Sequence, residues 1–166
     1  EVKYWNQFIL SSILDEIPNT VRYIRYCNTS QGLEIVPKNW IEINADSKWP
    51  LEFNYSLDIG IDRLALVLGA KSIFGKLPVL VVSCGTCLTF SYLDSNNIFQ
   101  GGAISPGLSM RLKAMNSFTG SLPLLTPKYE PDTSQKTFDT ESSMQKGAYE
   151  GMIYEIEQRI TSPKVI

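Results

Sequence analysis

Apolar and polar positions change period several times along the chain, and each change marks an element. Phe8-Ile9-Leu10-Ser11-Ser12 predicts a strand, Ile13 to Pro18 a turn or short helix, and Val21 to Tyr26 an alternating strand, with Gly32 and Pro37 as punctuation. Trp40 to Pro50 follows neither period. From Gly60 the pattern turns helical: Leu64, Ala65, Leu66, Val67 and Leu68 follow one another until Gly69, which predicts a helix buried on most sides. Val79, Leu80, Val81 and Val82 are apolar and largely β-branched, a buried strand that stops at Ser83-Cys84-Gly85-Thr86. Leu88 to Leu93 alternates apolar and polar, Asp94-Ser95-Asn96-Asn97 supplies turn residues, and Ile98-Phe99 begins a further strand that ends at Gly101-Gly102. Ser109 to Phe118 predicts an amphipathic helix carrying Met110, Ala114, Met115 and Phe118 on its apolar side. Gly120 to Thr137, with three prolines, reads as a loop. A last helix, capped by Asp139 or Thr140, carries Met144, Ala148, Met152, Ile156 and Ile160 every four residues, with Gly147 and Gly151 one turn apart.

The strand, glycine turn and returning strand around Gly85 offer the first candidate chemistry. Gly85 has no Cβ to fend off a ligand, so the backbone N–H groups of the turn and the Thr86 hydroxyl are placed to meet a phosphate. Hairpin turns of this composition also occur with nothing bound. Cys84-Gly85-Thr86-Cys87 has redox-pair spacing, but that chemistry wants a helix N-terminus, and here a strand follows. Zinc finds only one further cysteine, Cys27, and no histidine. Small residues filling a tight turn is the preferred reading of both cysteines. Asp62 and Arg63 open the first helix, where they either pair and favour the N-terminus or face a ligand. Gly147 and Gly151 suggest close helix packing, within the monomer or against a second subunit.

Composition narrows these options. At 166 residues with 43% hydrophobic content the chain has enough material for a filled core. A net charge of −2, with scattered lysine and arginine, gives no footprint for nucleic acid or an anionic membrane. No apolar run approaches the ~20 residues of a membrane span and no cleavable leader pattern is present. Three cysteines without framework spacing fit a reducing cytoplasm, where the Asn28-Thr29-Ser30 sequon has no role. With no histidine, catalysis must rest on carboxylates, hydroxyls or backbone dipoles.

Four short motifs then occur in one order: Gly60-Ile61-Asp62-Arg63 before an apolar helix, Val81 to Thr86, Gly101-Gly102-Ala103-Ile104-Ser105-Pro106-Gly107, and Thr140-Glu141-Ser142-Ser143-Met144-Gln145-Lys146-Gly147. With Leu122-Pro123 between the last two, the chain from about Ile9 to Ile160 resembles the type III pantothenate kinases of the actin-like acetate and sugar kinase superfamily. The resemblance implies an α/β chain of the ribonuclease H-like, actin-like ATPase fold: the remainder of an N-terminal domain over residues 1–75 and a C-terminal domain over 76–166. It implies ATP-dependent phosphorylation of pantothenate, the first step of coenzyme A synthesis, with Mg²⁺ and a monovalent cation (K⁺ or NH₄⁺), in a cytoplasmic homodimer. Asp62 matches the proton acceptor, Gly60, Ile61, Asp62 and Arg63 the substrate pocket, Thr140 a substrate contact, and Gly85 and Thr86 the nucleotide contact. The family's substrate-contacting tyrosine falls on Phe53, with Tyr55 close by.

Two departures stand out. The family's opening D-x-G-N strand has no match in Glu1 to Leu51 and, counting back from Ile9, would precede residue 1. Ser83 stands where the family has a cation-binding aspartate, so weaker cation and nucleotide binding is expected. Both departures motivate the alternative of a catalytically silent relative with a binding or regulatory role.

Overall fold

The computed structural model describes residues 25–26, 41–44, 47–56, 58–75, 78–128 and 136–161. The elements expected over Phe8–Ser12 and Ile13–Pro18, the start of the strand from Val21, the punctuation at Gly32 and Pro37, Cys27 and the Asn28 sequon lie outside them. Two short strands, β1 (Arg25–Tyr26) and β2 (Ile41–Glu42), pair in parallel with Arg25 opposite Ile41 and Tyr26 opposite Glu42. The chain divides into two compact units, Glu1–Val79 with Leu93–Phe99, and Leu80–Tyr92 with Gln100–Ile166.

In the first unit, β3 (Glu52–Phe53) pairs in parallel with the opening of β6 (Ile98–Pro106), Glu52 opposite Ile98 and Phe53 opposite Phe99. The turn before β6 forms where polar residues predict it. Asp94 Oδ1 accepts the N–H of Asn96 at 2.8 Å and of Ile98 at 2.9 Å, and Asn97 takes the left-handed conformation at φ 63°. Helix α1 spans Ile61–Phe74, so it runs through Gly69 instead of stopping there, and ends at Gly75, whose φ of 73° suits a residue without Cβ. One glycine weakens a helix by only about 1 kcal/mol, and burial of Leu64, Ala65 and Val67 outweighs that.

In the second unit the strand order is β6, β5 (Cys87–Leu93), β4 (Val79–Cys84). β4 continues two residues beyond the predicted apolar run. β6 does not end at Gly101-Gly102 but extends to Pro106. Gly101 and Gly102 have φ of 84° and 148°, and a Cβ on Gly102 would fall on the carbonyl oxygen of Phe90 in the adjacent strand. These glycines let the backbones approach and the strand continue. Helices α2 (Leu108–Ser117) and α3 (Thr140–Thr161) pack on this unit's core, which joins Leu88 and Phe90 of β5, Leu108 and Leu112 of α2, and Met144, Ala148 and Met152 of α3. Each large side chain so buried contributes roughly 1.5–3 kcal/mol.

This core corrects two expectations. The inward face of α2 is Leu108, Leu112 and Met115, an i, i+4, i+7 row, whereas Met110 and Phe118 are exposed. The methionine and isoleucine stripe of α3 is covered within its own unit: Met144, Ala148 and Met152 are buried, Ile156 packs against them, and only Ile160 is exposed. Of the two packings the sequence left open for this stripe, the one within its own unit is seen.

Candidate active site

The residues singled out by the motifs fall into three groups. The first lies in the first unit, at the start of α1. Gly60 precedes the helix, and its carbonyl accepts the N–H groups of Arg63 and Leu64 at 3.0 and 3.3 Å. A Cβ on Gly60 would come within 2.6 Å of Asp62 Oδ1, so glycine here makes room for the Asp62 carboxylate. Asp62 is exposed while Arg63, its neighbour, is only 4% exposed. An arginine so buried must be surrounded by groups that tolerate its guanidinium. Its guanidinium carbon lies 5.9 Å from the ring centroid of Tyr55 and 5.8 Å from that of Phe99. Phe99 in turn meets Tyr55 edge-on at 5.8 Å and Phe53 at 6.2 Å. Phe53 and Tyr55 thus both border Phe99, with Tyr55 beside the arginine. Phe99 itself carried no signal in the sequence: an apolar residue at a strand start is ordinarily core.

The second group is the turn between β4 and β5. The Gly85 N–H, expected to face an anion, donates instead to the Cys87 carbonyl at 3.0 Å and closes the turn. Thr86 is exposed, and its carbonyl accepts the Gly107 N–H at 3.1 Å. Gly107 is buried against the turn: a Cβ there would lie 2.6 Å from the Thr86 carbonyl oxygen and closer still to that of Gly85. The Ser-Pro-Gly end of the third motif is therefore seated directly on the glycine turn of the second. Cys84 and Cys87 are free thiols on the two strands that flank this hairpin, and neither lies in the first turn of a helix. Ser83 is half-buried in β4. Among the described residues no three Asp, Glu, His or Cys side chains gather as a metal-holding set.

The third group lies at the start of α3. Asp139 is the cap, its Oδ1 accepting the Ser142 N–H at 2.7 Å. That backbone bond first, then the Ser142 hydroxyl, holds its carboxyl below the ordinary value of 3.8. Thr140 is the first helical residue, exposed on an open cavity of about 570 Å³ that Thr137, Ser143, Met115 and Leu122 also line. The structure thus gathers Phe53, Tyr55, Gly60, Ile61, Asp62 and Arg63 in one unit, and Ser83, Gly85, Thr86 and Thr140 in the other.

Comparison with known proteins identifies the family of the chain. In fold, the chain is similar to a crystal structure from Campylobacter jejuni described as belonging to the Baf family of transcriptional activators, with TM-score 0.53 and 22% identity, covering 73% of this chain and 54% of that one. The model of the type III pantothenate kinase family matches residues 3–162, and the chain belongs to that family. Curated type III pantothenate kinases resemble it at 39% identity over 117 residues in Flavobacterium psychrophilum, covering 69% of this chain and 48% of the relative. The Phocaeicola vulgatus enzyme is 35% identical over 156 residues, covering 92% of this chain and 60% of the relative. The chain spans about half the length of the curated relatives it matches.

Proposed function

We propose that the protein containing this chain transfers the γ-phosphoryl group of ATP to the hydroxyl of pantothenate, the first step of coenzyme A synthesis. The observation that carries this reading is the pairing of an exposed carboxylate, Asp62, with a buried and aromatic-flanked Arg63 at one helix start. Asp62 accepts the proton of the substrate hydroxyl as its oxygen attacks phosphorus. Arg63 offers a rigid fork of donors suited to the substrate carboxylate, with Gly60, Ile61 and Phe53 or Tyr55 bordering the pocket. Gly85 and Thr86 contact the nucleotide, Thr86 through its exposed hydroxyl, and Thr140 contacts substrate from the start of α3.

The fold proposed is ribonuclease H-like and actin-like, the end of a first domain over 1–75 and a second over 76–166. The described residues do not furnish a cation site: Ser83 brings a neutral hydroxyl where the resemblance places a carboxylate. Mg²⁺ accompanying ATP and a K⁺ or NH₄⁺ requirement therefore belong to the proposal without a step assigned to them. The protein is proposed to be cytoplasmic; no described helix is long and apolar enough to cross a membrane. A homodimer is proposed too, its contact lying outside the buried stripe of α3.

Family membership favours the kinase over a catalytically silent relative. A coupled assay with pantothenate, ATP, Mg²⁺ and K⁺ tests this directly: turnover that disappears in Asp62→Asn supports the reading, and no turnover in the intact protein rejects it.

A further inference from the structure

The second unit holds a polar cluster that none of the motifs accounts for. Glu155 of α3 accepts, on its Oε2, the Ser105 hydroxyl at 2.9 Å and Arg111 Nη2 at 2.6 Å. Arg111 also donates from Nε to the Pro106 carbonyl at 2.8 Å, and its backbone N–H bonds the Gly107 carbonyl at 3.0 Å. Arg159, whose guanidinium carbon lies 4.5 Å from the Phe90 ring centroid, brings Nε within 3.8 Å of Glu155 Oε1. The Arg111 and Glu155 side chains are 22% and 23% exposed, so solvent screens them less than a surface pair. Glu155 therefore links α3 directly to the Ser105 side chain and to Arg111 of α2, and through Arg111 to the Pro106 carbonyl just before Gly107. The same Gly107 backbone rests on Gly85 and Thr86.

We propose that Glu155 and Arg111 are positioning residues that hold the Ser105–Gly107 backbone on the Gly85–Thr86 turn and so fix that turn for the nucleotide. This rests on the reading of Gly85 and Thr86 as nucleotide contacts. Charge-assisted hydrogen bonds are short and directional, which suits them to locating a backbone that has no side chain of its own at Gly107. Gly151 faces the same guanidinium: a Cβ there would make an ordinary contact, 3.5 Å from Arg111 Nη1.

Two measurements on the intact protein test the assignment. Hydrogen exchange of the Gly107 amide reads the clamp itself, and steady-state kinetics with ATP and pantothenate varied separately read its effect on the site. Glu155→Ala is expected to speed Gly107 exchange and raise KM for ATP, each by roughly tenfold or more because the hydrogen bonds from both Ser105 and Arg111 are lost, with kcat and KM for pantothenate little changed. Glu155→Gln, still an acceptor for Ser105 and Arg111, should recover most of both. A merely structural role would lower the melting temperature and the active fraction and leave KM for ATP alone. Should Glu155→Ala fail to fold, Ser105→Ala removes a single bond and is expected to move both readouts in the same direction by less. Unchanged Gly107 exchange overturns the clamp, and faster exchange with unchanged KM for ATP overturns its link to the nucleotide. If the parent binds no ATP while exchange still responds, the nucleotide reading of the turn fails and the clamp survives without it.

Discussion

The proposed function draws on different parts of the polypeptide in the two compact units. In the first, the groups proposed to work are side chains: the Asp62 carboxylate and the Arg63 guanidinium, the latter lying against the rings of Tyr55 and Phe99. In the second, the proposed nucleotide contact depends on how the backbone carries Thr86: the turn at Gly85 and Thr86 is closed by its own amide and covered by Gly107, where a methyl group has no room. A side-chain site can lose its chemistry while keeping its fold. A backbone site cannot be altered without moving the chain, so fold and binding should fail together.

The sharpest way to break that contrast is Asp62→Asn, nearly isosteric but unable to take a proton. Phosphoryl transfer should fall by a factor on the order of 10² to 10⁴, while the melting temperature of the mutant matches that of its parent. Near-normal turnover would leave Asp62 as a favourable charge in the first turn of α1 and nothing more.

Gly107→Ala addresses the other half. Its Cβ meets two carbonyl oxygens, and displacing that backbone should cost roughly 1–3 kcal/mol in urea unfolding, with ATP affinity falling at the same time. Gly147→Ala is the matched control, because a Cβ there meets nothing within 4 Å and α3 should gain about 0.8–1 kcal/mol of helix propensity. A Gly107 variant as stable as its parent and binding ATP equally well would dissolve the distinction between the units.

A smaller effect is expected at Ser83. Ser83→Asp restores a carboxylate at the resemblance's cation position, and calorimetry should then show nucleotide binding that strengthens with K⁺ more than in the parent. Indifference to K⁺ in both forms removes that role from this position.

The smallest effect belongs to Asp139. Its folded pKa lies below the ordinary 3.8, so its contribution is complete above that value and is lost as pH falls through the folded pKa. Asp139→Ala should lower thermal stability slightly at neutral pH, and the gap to the parent should close under acid. A gap that persists undiminished at low pH would mean that the capping charge contributes nothing.

Much of the local structure was legible because local rules govern it. The β-branched run of β4, the Asp-Ser-Asn-Asn turn before β6 and the Asp cap of α3 each follow from residues within a few positions of one another. Where a helix or strand was expected to stop at glycine, at Gly69 and at Gly101-Gly102, packing kept it going, since a single unfavourable residue is weak against burial on a neighbour. The α3 stripe was readable as apolar, but its partner was not, and Leu88, Phe90, Leu108 and Leu112 proved to cover it.

By itself, then, the sequence determined the order of elements, the chemically capable residues Asp62, Arg63, Thr86 and Thr140, and membership in a family whose motifs it carries in order. Tertiary structure alone decided which groups meet. Phe99 lies 36 positions beyond Arg63 and yet flanks it; Glu155 and Arg111 are 44 positions apart and share a hydrogen bond. Such pairings arise because β3 pairs with β6 and α3 packs on α2, burying apolar surface that has no preferred partner in the linear chain. Apolar burial is non-directional, so periodicity shows that a face will be covered, and only the folded packing shows by what.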